Sequence, residues 1–276
     1  MTQHDHDGGL RRDLPLLTRR RLLVAGLALA GAAGGLTFLR GGPGMAGEAN
    51  LSATGADGAL CLKDPAETNG PYPADGTNSK DGQTVNVLTQ NGVVRQDLRP
   101  CFNGLEGTAP GVPLELEITL VNVGGACAPL QGHAIYLWHA DAEGHYSLYD
   151  LPQRNWLRGV VVTDAAGKAR VTTIVPGCYD GRWPHIHFEV FASLDAAVSG
   201  RDALLTSQFA FPEAEVARVY ASDAGYPQSG ANLGRVTLAG DNVFGDNTAE
   251  QIAAQTLQMQ GDPSTGYVAR VTVGVA

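Results

Sequence analysis

The stretch Leu114-Glu115-Leu116-Glu117-Ile118-Thr119-Leu120 sets the expectation for the fold. Apolar residues take every second position and polar residues the positions between, the period of a strand with one buried face. Working outward, residues 133–138, 159–163, 169–175 and 184–191 read as further short strands, and Gly266–Val275 as a closing one. Turn formers separate them, as in Asp141-Ala142-Glu143-Gly144 and Asp164-Ala165-Ala166-Gly167. Helical periodicity is confined to residues 213–220 and 248–258. Short strands at this spacing, in a chain with 36 Gly and 15 Pro, predict an all-β antiparallel sandwich.

The 276 residues are 43% hydrophobic and 17% charged, enough to build one good core. A net charge of −9 opposes any general affinity for nucleic acid. The N-terminal segment, residues 1–49, reads differently. Arg11, Arg12 and the run Thr18-Arg19-Arg20-Arg21-Leu22-Leu23 precede an apolar stretch from Leu22 to Leu39. That order is an export signal of the twin-arginine type, whose pathway carries folded proteins. The competing reading is a membrane anchor, which Gly26, Gly31, Gly34 and Gly35 weaken. The membrane is then met only during export, and residues 50–276 form the exported domain, with 50–110 as an extended arm. Strand patterns begin after that arm.

Four cysteines, Cys61, Cys101, Cys127 and Cys178, form no Cys-x-x-Cys pair. In an oxidising compartment they are structural, as bridges or buried thiols, and three full pairings are open.

The chemistry concentrates in His185-Ile186-His187. Residues two apart on a strand share a face, so both imidazoles project together while Ile186, Phe188 and Val190 turn to a core. Two histidines on one face can hold one metal ion, although a lone pair of this kind is more often incidental. Around it lie Tyr146 at the end of a turn, Tyr179 in Pro176-Gly177-Cys178-Tyr179, and Arg182 three residues before His185. Each tyrosine alone would be a rim residue, and Arg182 alone a surface ion pair.

Taken in order, these pieces resemble the intradiol ring-cleaving dioxygenases of the catechol and protocatechuate type. The resemblance runs from Trp138-His139-Ala140-Asp141-Ala142-Glu143-Gly144-His145-Tyr146 through Leu157-Arg158-Gly159-Val160-Val161-Val162-Thr163-Asp164 to Thr173-Ile174-Val175-Pro176-Gly177-Cys178-Tyr179. It continues in Arg182-Trp183-Pro184-His185-Ile186-His187-Phe188 and Leu205-Thr206-Ser207-Gln208-Phe209. Upstream, Glu67-Thr68-Asn69-Gly70-Pro71-Tyr72 resembles the family's arm over the active-site mouth.

The resemblance implies a prealbumin-like β-sandwich with long loops and few short helices. It also implies a ferric ion, Fe(3+), held by Tyr146, Tyr179, His185 and His187. Phenolate oxygen is a hard anionic donor suited to that ion, and imidazole suits iron generally. The implied partners are a catechol-type diol and dioxygen, and the implied product a muconate-type diacid. Tyr179 would take up a substrate proton, Arg182 would stabilise developing negative charge, and Gln208 would orient the substrate. Tyr72 and Trp183 would line the pocket.

The chain departs from the family in three places. The Tyr179 to His185 loop is short, Trp183-Pro184 replaces a common Pro-Ala pair, and no long helical N-terminal segment of the dimerising kind is evident. The oligomeric state is therefore open, with a homodimer as one option. Two other function classes compete: a secreted β-sandwich that binds metal or aromatics without turnover, and a structural domain with copper or zinc at the histidines.

Overall fold

The computed structural model describes residues 51–276 except 57, 59, 81 and 200–202. The expected export signal at 1–49 lies outside the described residues. Two sheets form the body. One is antiparallel, in the order β11 (Leu205–Ala210), β10 (His185–Phe191), β7 (Ala134–Trp138), β8 (Arg158–Val162). In the other, β5 (Pro113–Asn122) is central. It pairs with β9 (Lys168–Ile174) and the two-residue β6 (Ala128–Pro129) on one side, and with β13 (Gly266–Val275) on the other, with β12 (Gln258–Asp262) outside β13.

The alternation in β5 does what its pattern dictates. Leu114, Leu116, Ile118 and Leu120 are all buried, and Glu117 stays at the surface with Lys168 and Arg170 of β9. The core between the sheets joins these four residues to Ile135 and Leu137 of β7, Val171 of β9, Val273 of β13, and Ile186, Phe188 and Val190 of β10. Phe188 and Phe209 stack across β10 and β11 with ring centres 4.2 Å apart.

Four features depart from the sequence expectation. The β5–β13 pairing is parallel, so the sandwich is not wholly antiparallel. Residues 50–110 are not a plain extended arm; they hold two hairpins, β1 (Ser52–Thr54) with β2 (Leu60–Leu62) and β3 (Asp75–Lys80) with β4 (Gln83–Asn86). Strands this short carry too few residues for an alternation to be read. The helix expected over 248–258 stops early, as α4 (Ala249–Gln255), because Leu257 donates its N–H to Ala210 of β11 and the chain turns into β12. The helix expected over 213–220 runs slightly longer, as α2 (Glu213–Ser222). Two short helices, α1 (Leu194–Val198) and α3 (Ser229–Leu233), complete the α-helices of the described residues. None of these helices is long and apolar enough to cross a membrane.

None of the three full cysteine pairings forms: the structure contains the Cys61–Cys127 bridge, with Cys101 and Cys178 as free thiols. The bridge fastens β2 to the turn after β5. Beside it, Asp64 locks onto β13: its N–H donates to the Gly274 carbonyl at 3.0 Å and its carboxylate accepts the Gly274 N–H at 2.7 Å. Burial raises the Asp64 pKa to about 7, against the pull of that one backbone N–H. The folded chain therefore keeps a proton that the unfolded chain releases near 4. Stability falls as pH rises between those values and is flat above the folded pKa. Asp64→Asn is expected to remove that slope, worth up to about 4 kcal/mol, in thermal unfolding followed from pH 4 to pH 8. An unchanged slope would show that Asp64 is ionised in the fold.

Candidate metal centre and active site

The face of the antiparallel sheet turned away from the core is where the chemistry lies. Strand register places Arg158 opposite Trp138, Trp138 opposite His187, and His187 opposite Gln208, one row across four strands. His185 follows two residues before His187 on the same face, next to Ala210. Ordinarily such a face would meet water. Here the 67–74 arm and the 146–149 loop cover it, and Arg158, His185, His187 and Gln208 are all buried.

Two loops bring the tyrosines. Asp141 organises the first: its carboxylate accepts the N–H groups of Glu143 and His145, the self-wrapping turn that Asp favours. Tyr146 then enters with its N–H on Asp150 and its carbonyl receiving the Asp150 N–H. The second loop carries Tyr179 and docks on the first through Gly177, whose N–H donates to the Asp141 carbonyl at 2.9 Å. A side chain at Gly177 would meet the Ala142 carbonyl oxygen at 2.4 Å, so the approach requires glycine.

The four polar heads converge. Tyr146 Oη lies 3.5 Å from Tyr179 Oη and 3.3 Å from Nε2 of both His185 and His187. Tyr179 Oη is 3.3 Å from His185 Nε2, and the two Nε2 atoms are 3.1 Å apart. Four donors bound at about 2.0–2.2 Å around one ion would stand about 3.3–3.6 Å apart, so the heads are close to ligand spacing. His185 Nδ1 sits 2.5 Å from the Trp183 carbonyl. That contact puts the ring proton on Nδ1 and leaves the Nε2 lone pair facing the other three heads. His187 stacks flat on Trp138 at 4.8 Å.

Burial, with Arg182 nearby, drives His185 down to about 3, and burial with His185 beside it holds His187 well below its ordinary value. Both rings are neutral, the state a metal needs. Burial and the neighbouring Tyr179 raise the Tyr146 phenol far above its usual range. Without a cation its proton has nowhere favourable to go; with one, the oxygen would bind as phenolate. Two phenol oxygens and two imidazoles thus fit a hard trivalent ion. Among the described residues no group of three or more His, Cys, Asp or Glu side chains could hold a metal, and an ion held by these four heads would take half its donors from tyrosine.

Arg182 is buried beside this cluster. Its Nε donates to Asp241 at 2.9 Å and one terminal nitrogen to Gln208 at 2.7 Å. Burial opposes its charge, but Tyr179 and Asp241 outweigh that and hold the guanidinium protonated. Asp241 was not identified from the sequence. It also accepts the N–H groups of Trp183, Val243 and Phe244, and it lies 59 positions from Arg182 with no local motif to mark it. Breaking such a buried pair typically costs about 3–5 kcal/mol, while replacing it by apolar groups often costs nothing, so its value here is placement.

Gln208 joins the site through Arg182 and donates its other end to the Thr68 carbonyl, tying β11 to the arm. Tyr72 stands over the centre, 5.0 Å from the Tyr146 ring and 4.9 Å from Tyr149. Trp183, expected at the pocket, turns its indole instead into a cluster with Ala210 and Phe244 and donates to the Phe211 carbonyl. Its contribution to the centre is the backbone carbonyl that aims His185.

Residues 87–218 match a protein-family model described as Dioxygenase. The fold is similar to that of an intradiol ring-cleavage dioxygenase from Tetranychus urticae, at 21% identity and TM-score 0.57, covering 78% of this chain and 94% of that one. The dioxygenase domain of a dioxygenase carbohydrate-binding protein fusion from Streptomyces sp. SirexAA-E matches at 25% identity and TM-score 0.46, covering 77% and 97%.

Gly70 of the arm has φ +69, and a Cβ there would lie 3.3 Å from His187 Cε1. Gly70→Ala is expected to cost about 1 kcal/mol from backbone strain and to push the arm off the histidine. Thermal unfolding and the proteolytic susceptibility of residues 66–74 check this; parent-like values in both would show that there is room for a side chain between Gly70 and His187. The heads of Tyr146, Tyr179, His185 and His187 thus converge within the segment that matches the dioxygenase model, on a fold similar to that of an intradiol ring-cleavage dioxygenase.

Proposed function

We propose that this chain is an exported Fe(III) enzyme that opens a catechol-type ring between its two hydroxylated carbons, using dioxygen, to give a muconate-type diacid. The convergence of two phenol oxygens and two imidazole nitrogens at 3.1–3.5 Å, in a buried site with a clamped guanidinium beside it, carries the reading. Ferric iron, when bound, would supply the Lewis-acid and redox chemistry that lets an aromatic diol react with dioxygen.

The chain's own residues divide the remaining work. Tyr179 is half-buried, while Tyr146, His185 and His187 are buried. It is the head with most freedom to swing, and its oxygen is the natural acceptor for a proton from an entering diol. Arg182 spends two of its N–H groups on Asp241 and Gln208 and keeps others for negative charge developing on the substrate. Gln208 fixes the guanidinium in that pose. The arm with Tyr72 excludes water from one side and offers an aromatic wall.

Export is supported by the twin-arginine pattern and by the Cys61–Cys127 bridge, since such bridges persist in oxidising compartments. A binding protein without turnover is disfavoured by the full retention of both tyrosines, both histidines and Arg182. Copper or zinc at the histidines alone would leave the two tyrosines without a purpose.

The mature protein produced with ample iron is expected to carry iron and absorb broadly in the visible through tyrosinate-to-iron charge transfer. Colourless, iron-free protein would contradict the reading. Tyr146→Phe or His187→Ala is expected to lose the iron on dialysis. Arg182→Ala should keep iron and colour and lose about 10²–10³ in turnover of catechol, measured by oxygen uptake. Unchanged turnover would remove Arg182 from the mechanism.

A further inference from the structure

Arg158 is a fully buried guanidinium that forms no ion pair with a carboxylate among the described residues. A buried charge left without a counter-ion is costly, so four well-placed hydrogen bonds around it need a reason. Nε donates to Ser147 Oγ at 3.0 Å and one terminal nitrogen to the Ser147 carbonyl at 3.1 Å. The other terminal nitrogen donates to the Pro73 carbonyl at 3.0 Å and to Tyr136 Oη at 3.2 Å. Tyr136 Oη in turn donates to the same Pro73 carbonyl at 2.7 Å.

The partners fall on two sides. Ser147 follows Tyr146 directly, and Pro73 follows Tyr72, whose ring lies on Tyr146. A planar fork can hold two such segments at a fixed separation; a flexible ammonium cannot. Arg158 itself is rigid, since it sits on β8 in the same row as Trp138 and His187.

We propose that Arg158 is a positioning residue: a bracket between the Tyr146 loop and the arm, which sets the Tyr146 oxygen against the two histidines and holds Tyr72 over them. The part of the bracket that concerns iron rests on the function proposed above; the mechanical part does not. Arg158 touches neither substrate nor the reacting atoms, and its field reaches Tyr146 as a secondary effect.

The test uses the full mature protein in two forms. Amide hydrogen exchange on iron-free protein reads the bracket whether or not the chain is an enzyme. Arg158→Lys is expected to speed exchange about tenfold over residues 67–75 and 145–149, with β5, β9 and β13 as in the parent. In iron-loaded protein the same variant should shift the visible band and raise KM for catechol more than it lowers kcat. Ser147→Ala, which removes only the Oγ contact, should show the same pattern more weakly and serves if Arg158→Lys does not fold. Parent-like exchange in both segments, or equal acceleration over the whole chain, would overturn the proposal. Changed exchange with no iron and no turnover in the parent would instead defeat the enzyme reading and leave the bracket standing.

Discussion

The pleat of β10 is the constraint on which the site depends. Ile186, Phe188 and Val190 are held in the core between the sheets, and this leaves His185 and His187 no freedom but to project from the opposite face. A slip of one residue would carry both imidazoles into the core and three apolar side chains out of it, so the core enforces the register. Removing a buried aromatic such as Phe188 typically costs about 3–5 kcal/mol, more than the roughly 1 kcal/mol net of an ordinary hydrogen bond such as that between His185 and the Trp183 carbonyl. Packing therefore sets the aim of the histidines, and the polar contacts refine it.

The second constraint is cover. Imidazole and phenol heads gathered on a sheet face would be solvated and mobile if left open. The arm crosses that face nearly strand by strand: Thr68 binds Gln208 of β11, Gly70 lies near His187 of β10, and Pro73 accepts from Tyr136 of β7 and Arg158 of β8. The disulfide at Cys61 and the Asp64 lock on β13 hold the near end of this strap. A low-dielectric chamber results, in which neutral imidazoles and a fixed guanidinium act at short range.

Much of this was legible in the sequence, for reasons that differ between residues. The orientation of His185 and His187 follows from strand period alone. Tyr146 and Tyr179 come from loops, where no periodicity applies, and only the succession of motifs around them pointed to the centre. Asp241 and the Arg158 bracket were invisible as roles, since their contacts join residues 59 and 85 positions apart. Trp183 shows the opposite failure: its place beside His185 implied a pocket wall, yet strand geometry turns the indole into a cluster with Phe244 and leaves only its carbonyl at the centre. The polar hairpins of the arm and the parallel β5–β13 pairing lacked any one-dimensional signal.

The central claim is that these four heads serve ring opening between two hydroxylated carbons. Product analysis after turnover of catechol under isotopically labelled dioxygen tests it most directly. The account predicts a muconate-type diacid carrying both labelled oxygen atoms. A ring-opened aldehyde from cleavage beside the diol, a quinone without labelled oxygen, or no product from any diol by iron-replete protein would contradict it.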